Sequence, residues 1–372
     1  MTSPTSPTIP LARLHAEFGQ SPWYDNLTRE LVLDGGLAAL VGDGIRGVTS
    51  NPTIFDKAMG SGNRYDEQML ACAGQGKSIE DTYWALVVDD ITHATDVLRP
   101  VYDAAQGGDG LVSVEVSPEL AHDTEQTCAD AVDLHTRIAR PNVMIKIPAT
   151  LEGLPAITRT IAAGINVNVT LIFSLDRHNA VIDAYLDGLE QLDANGGDVS
   201  TIASVASFFV SRVDTETDKR LPEGHELRGK AAVANARLAY QLFRERFAGA
   251  RWDALAAKGA RLQRPLWAST STKNAAYSPT LYVDELIGPD TVDTLAPASI
   301  DALRDSGGPG LRANSVADDP EGAQQVIDRL ADAGVDFDDV TDTLERDGVS
   351  SFADSYRDAL ATLERRTKEL TA

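Results

Sequence analysis

The strongest constraint on this chain is an alternation that runs through most of its length. Short apolar stretches rich in β-branched residues recur between longer segments of helical period, at residues 22–25, 46–50, 111–116, 143–148, 167–173, 202–210, 265–269 and 291–296. That makes eight candidate strands, several of them apolar throughout, as strands covered on both faces should be. Between them lie helical patterns over 80–106, 176–193 and 229–247, with two more in the tail at 320–333 and 351–370. In the first, Tyr83, Trp84, Val87, Val88, Ile91, Leu98 and Val101 form one stripe. Ser174 is placed to cap the second. Most strand ends are separated by the ~30 residues of one βα unit. The gaps after the second and sixth strands are about double that and leave room for extra helices. Eight such units predict a single α/β domain over 1–372, a (β/α)₈ TIM barrel with helices inserted after strands 2 and 6 and a helical C-terminal extension over 306–372 packed on its outside. An open doubly wound sheet is the alternative. No internal repeat or linker divides the chain.

Composition excludes several functions. The net charge of −23 disfavours nucleic acid and anionic membrane as partners, and any phosphorylated ligand would need a locally basic site. Cys72 and Cys128 are far apart, which suits a reducing compartment, and the six histidines show no metal-ligand spacing. The opening MTSPTSPTIP has neither a basic nor an apolar signal region, so residues 1–12 are expected to form a loose tail and the protein to be cytoplasmic. No apolar run is long enough to span a membrane, and the sequon-like triplets at Asn26 and Asn168 therefore carry little weight.

Two phosphate-loop patterns fail on context. Gly42, Gly44 and Gly47 spell GxGxxG, but they follow a helical pattern and run into a strand, which suits a helix end and turn. Gly76-Lys77-Ser78 resembles the end of a P-loop, yet Ala71 stands where the first glycine is required.

Strand parity identifies the residues that could carry chemistry. Val143, Ile145 and Ile147 share one face, so Lys146 points into the barrel near the C-terminal end of its strand, where barrels of this type keep their sites. A free lysine, with a pKa near 10.4, is almost wholly protonated at neutral pH. Burial favours the neutral amine, the form that attacks carbonyls. A lysine paired to a carboxylate fits the position equally well. By the same parity Glu115, Asn168, Thr170, Ser207 and Phe209 face inward, while Asp25 closes the first strand and Asn51 follows the second. Polar side chains are not expected elsewhere in the interior. An amine, two carboxylates and several hydroxyl or amide donors suggest carbonyl chemistry with proton transfer. Arg212 follows the sixth strand; Ser269, Ser271 and Lys273 follow the seventh in WASTSTKN, where barrels often bind phosphate.

These segments resemble the transaldolase family. GVTSNPTIF (47–55) and NVMIKIPATLEG (142–153) look like its two signatures, and GINVNVTLIFS (164–174) and SFFVSR (207–212) like its next two blocks, in the same order. The length and DELIGPDTV resemble its longer bacterial subfamily. The resemblance implies a class I Schiff-base enzyme of the non-oxidative pentose phosphate pathway, needing no metal or organic cofactor and acting on sugar phosphates as a monomer or homodimer. It implies that Lys146 forms the Schiff base, that Glu115 shuttles protons through a water shared with Thr170, and that Asp25 takes the proton whose loss breaks the carbon–carbon bond. Asn51, Asn168 and Ser207 would orient the dihydroxyacetone unit, with Phe209 in the wall. Arg212 and Lys273, with Ser269 or Ser271, would hold phosphate. Asp34, in the same N-terminal stretch, is set aside because it lies among glycines rather than at a strand end. Lysine at 273, where the family often has arginine, lacks the bidentate fork. Two rivals differ in prediction. A fructose 6-phosphate aldolase of the same superfamily would resemble this chain with tyrosine at 209 and glutamine at 115. A non-catalytic sugar-phosphate sensor would not need Lys146.

Overall fold

All eight apolar runs form strands in the computed structural model, which describes residues 10–372. They are β1 Gln20–Tyr24, β2 Gly47–Thr49, β3 Leu111–Glu115, β4 Val143–Pro148, β5 Val167–Ile172, β6 Ser204–Phe209, β7 Gln263–Ala268 and β8 Thr291–Leu295. Each pairs in parallel with the next, and β8 pairs with β1, so the sheet closes into a (β/α)₈ barrel. Apart from Arg264, every strand residue is buried. The barrel interior covers one face and the helices the other, which is why the sequence shows apolar runs rather than one wet face.

The expected helices form as Ile79–Ala104, Leu175–Ala194 and Ala231–Arg246. Ser174 caps the second by accepting a hydrogen bond from the Arg177 amide at 3.1 Å. The long gaps hold extra helices as predicted: Pro52–Gly60 and Asp66–Gly74 after β2, Ser211–Arg220 and Ala250–Ala256 after β6. The GxGxxG glycines serve packing. Gly42 ends the helix Gly36–Gly42, and a Cβ on Gly44 (φ +117°) would lie 2.7 Å from the Ala12 amide nitrogen.

Three expectations change. Of the presumed loose tail 1–12, residues 1–9 lie outside the described part, but residues 10–12 open the helix Pro10–Phe18, held by the buried Leu11 and Leu14. The barrel interior also carries polar groups at its N-terminal end. Asp109 accepts hydrogen bonds there from Ser21 Oγ (2.5 Å), Trp23 Nε1 (2.9 Å) and Arg46 Nε (2.7 Å), with Arg264 alongside, so the buried charge is compensated.

The third change concerns the C-terminal extension. The helix expected over 351–370 is the end of a much longer one, Phe337–Thr371. It does not join the outer ring but crosses the C-terminal mouth of the barrel. Its polar residues are tied to segments that follow four strands: Thr53 Oγ1 to Ser355 Oγ at 2.7 Å after β2, Glu119 to Arg357 at 3.0 Å after β3, Arg177 to Glu345 at 3.3 Å after β5, and Arg220 to Asp339 at 2.6 Å after β6. The face turned down is the stripe Val340, Leu344, Gly348, Phe352, Tyr356, Ala359 and Leu363, spaced three or four residues apart. A Cβ on Gly348 would stand 2.9 Å from Leu171 Cδ2, so glycine permits the close approach.

Candidate active site

The C-terminal ends of the strands gather a polar cluster around Lys146. Parallel register sets Glu115 beside Lys146 and Lys146 beside Asn168 on adjacent strands. The Lys146 ammonium donates to Glu115 Oε2 and to the Ser50 carbonyl, each at 3.3 Å, and both side chains are more than nine-tenths buried. The amine is thus inward-facing and paired to a carboxylate at once. Burial raises the Glu115 carboxyl above its ordinary pKa, and the Lys146 charge partly offsets this. Asp25, just beyond β1, accepts from Thr49 Oγ1 at 2.9 Å. Desolvation raises its pKa too, opposed by Lys146, by that hydrogen bond, and by the charges of Lys273 and Arg212.

The other polar groups are held by their neighbours. Asn51 caps the helix Pro52–Gly60, its Oδ1 accepting from the Ile54 amide at 3.0 Å, which leaves its NH₂ to offer a ligand. Asn168 donates to Ser113 Oγ at 3.0 Å and accepts from Ser207 Oγ at 2.6 Å, a fixed row across β3, β5 and β6. Thr170 Oγ1 is buried with no hydrogen-bond partner among the described residues, an arrangement suited to holding a water or a ligand. Arg212 has no ion-pair partner among the described residues; it stands 5.2 Å from the Phe209 ring centroid and 6.0 Å from that of Phe352.

A cavity of about 180 Å³ opens between these groups. Of the sequence-predicted residues, Asp25, Asn51, Lys146, Thr170, Ser207, Phe209, Arg212 and Ser269 line it. Glu115 lies behind Lys146, beside a small void bordered by Phe55, Tyr83 and Trp84, and Asn168 lies within the hydrogen-bonded row. Ser271 and Lys273 do not line the cavity. Ser269 takes a left-handed conformation (φ +58°) that turns the loop away, Ser271 Oγ lies 3.0 Å from Ser299 Oγ, and Lys273 is exposed in a neighbouring cleft with Asp214 and Asp218. Asp34 is paired to Arg64 at 2.5 Å among exposed side chains. Sequence reasoning missed Thr49, Thr53, Thr294 and Phe352, all cavity-lining. Phe352 arrives on the C-terminal helix, and its one signal was the four-residue spacing of that helix's apolar stripe. A larger surface groove of about 430 Å³ beside Arg237, Tyr240 and Arg244 brings no comparable acid–base set together. No group of three or more potential metal-ligating side chains occurs among the described residues.

Fold and site together define a class: a closed α/β barrel that presents a buried lysine and one carboxylate, Asp25, to a cavity at its C-terminal mouth, with a second carboxylate, Glu115, paired to the lysine from behind. Comparison with known proteins narrows this. The family model described as Transaldolase/Fructose-6-phosphate aldolase matches residues 22–363, and the chain belongs to that family. Its relatives include a protein named Transaldolase from Saccharopolyspora erythraea, 53% identical over 94% of this chain and 95% of its own length. Another Transaldolase, from Acidothermus cellulolyticus, is 52% identical over 96% and 97%. Transaldolase 2 of Streptomyces coelicolor is 48% identical over 98% of each.

Proposed function

We propose that this chain is a transaldolase, moving a dihydroxyacetone unit from fructose 6-phosphate or sedoheptulose 7-phosphate to erythrose 4-phosphate or glyceraldehyde 3-phosphate. The observation that carries the reading is the Lys146 amine, 3.3 Å from Glu115 in a cavity that also holds Asp25. Glu115 accepts the ammonium proton, and the neutral amine attacks the ketose carbonyl. The same carboxyl then protonates the departing hydroxyl through a water held by Thr170 Oγ1, completing the imine. Asp25 takes the proton from the C4 hydroxyl. The C3–C4 bond breaks, the aldose leaves, and the electron pair stays on the three-carbon unit as an enamine. Asn51, Asn168 and Ser207 orient its hydroxyls. Arg212 binds phosphate with Ser269 beside it in the cavity, and Lys273, outside the cavity, adds positive charge to that end. The chemistry calls for no metal or organic cofactor.

Phe209 favours transfer over simple cleavage, because a phenyl ring has no proton to give the enamine. Among the described residues no helix is long and apolar enough to cross a membrane. A cytoplasmic enzyme of the non-oxidative pentose phosphate pathway, monomeric or homodimeric, agrees with this reading. The test supplies fructose 6-phosphate with and without erythrose 4-phosphate. Sedoheptulose 7-phosphate should form with the acceptor, with little dihydroxyacetone released in its absence. Rapid acceptor-independent release would favour the aldolase instead.

A further inference from the structure

The C-terminal helix places an aromatic ring where the proposed reaction is most exposed to loss. Phe352 is 5% exposed, and its ring centroid lies 5.4 Å from Lys146 Nζ and 6.0 Å from Arg212 Cζ. A ketose phosphate with its carbonyl at Lys146 and its phosphate at Arg212 therefore runs past this ring. The barrel side of the cavity brings hydroxyl and carboxyl groups from Asp25, Thr49, Thr170 and Ser207 together with the apolar side chains of Phe209, Leu266 and Ala268. Phe352 supplies an apolar surface from the mouth side, the direction from which bulk water enters. The ring is held in place. On one side of it Ser355 and Tyr356 bond Thr53 (2.7 Å) and Glu80 (2.8 Å); on the other, Gly348 packs on Leu171 and Glu345 pairs with Arg177.

Resting on the transaldolase reading, we propose that Phe352 keeps water from the enamine at Lys146, and so decides whether the three-carbon unit is transferred or lost as free dihydroxyacetone. The competing reaction consumes one water. Its proton goes to the nucleophilic carbon, turning enamine into imine; its oxygen adds to the imine carbon, and breaking the carbon–nitrogen bond releases dihydroxyacetone and the free Lys146 amine. Phe209, in the wall, withholds a proton from inside the cavity. Phe352 withholds water from outside, by excluding it from a site where unpaired charge develops. It contacts no reacting atom through a polar group, so it acts as a positioning and shielding residue.

The test compares the full-length protein with Phe352→Ala and Phe352→Leu, measuring dihydroxyacetone released per sedoheptulose 7-phosphate formed from fructose 6-phosphate and erythrose 4-phosphate. Phe352→Ala should raise that ratio about tenfold or more while a borohydride-trapped adduct still forms, and Phe352→Leu should raise it less. An unchanged ratio, with both products falling together, would overturn the proposal and leave the ring a purely structural part. If the alanine variant does not fold, the leucine variant decides on the same criterion. Failure of the unaltered protein to make sedoheptulose 7-phosphate would instead count against the transaldolase reading itself.

Discussion

Replacing Asp293 with asparagine should change how the stability of the barrel depends on pH. Asp293 stands on β8, opposite in parity to the cavity-lining Thr294, so it faces the helix layer. It is 0% exposed. One carboxyl oxygen accepts from Thr270 Oγ1 at 2.9 Å, and the other has no partner among the described residues. Burial without a compensating charge pushes its pKa from 3.8 up to about 7. In the unfolded chain the group ionises near 3.8, so between these values the native state keeps a proton that the unfolded state has released. Stability is then complete below the window and falls as pH rises through it. At about 1.4 kcal/mol per unit, the total is ~4 kcal/mol by pH 8, of which ~2.5 kcal/mol is lost between pH 5 and pH 8. Asparagine has nearly the same shape, can still accept from Thr270, and cannot ionise. Urea denaturation followed by tryptophan fluorescence should show the variant gaining ~2.5 kcal/mol relative to the unaltered protein from pH 5 to pH 8. A stability difference that is the same at both pH values, or one that moves in favour of the unaltered protein as pH rises, would refute the reasoning.

Three further outcomes follow from the geometry. Glu115→Gln keeps a hydrogen-bond acceptor for Lys146 but no proton acceptor, so imine formation measured by rapid mixing should slow about 100-fold or more while the urea midpoint changes little. Arg212→Lys keeps the charge and loses both the planar fork and the stacking on Phe209, so KM for fructose 6-phosphate should rise about tenfold with a smaller change in kcat. Gly47→Ala would put a Cβ 2.4 Å from the Trp23 ring, which is fixed by its hydrogen bond to Asp109; unfolding should cost about 3 kcal/mol less in this variant, read by urea melts.

The barrel and the centre of the candidate site were legible for the same reason. Strands buried on both faces must be apolar, so a lysine or glutamate within one, as at 146 and 115, stands out and its parity gives its direction. Elements whose stability comes from distant partners were harder to read. Gln20 and Ser21 look unlike the start of a buried strand because their partners, Leu286, Thr291 and Asp109, come from far along the chain. The first part of the C-terminal helix is rich in charge and holds Gly348, which reads as a break until Leu171 is seen against it. Phe352 joins the cavity because that helix turns back over the mouth, and no local pattern encodes such a return. The β7 loop shows the opposite case: its serines and lysine were visible, but the left-handed turn at Ser269, which separates Ser269 from Ser271 and Lys273, was not.

The central claim is a covalent one, that the amine of Lys146 bonds to the carbonyl carbon of the substrate. Incubation with fructose 6-phosphate and sodium borohydride, followed by proteolysis and mass spectrometry, tests it directly. A single reduced three-carbon adduct on Lys146, lost in Lys146→Ala and absent without the sugar, is the predicted result. An adduct on any other side chain, or full turnover by Lys146→Ala, would contradict it.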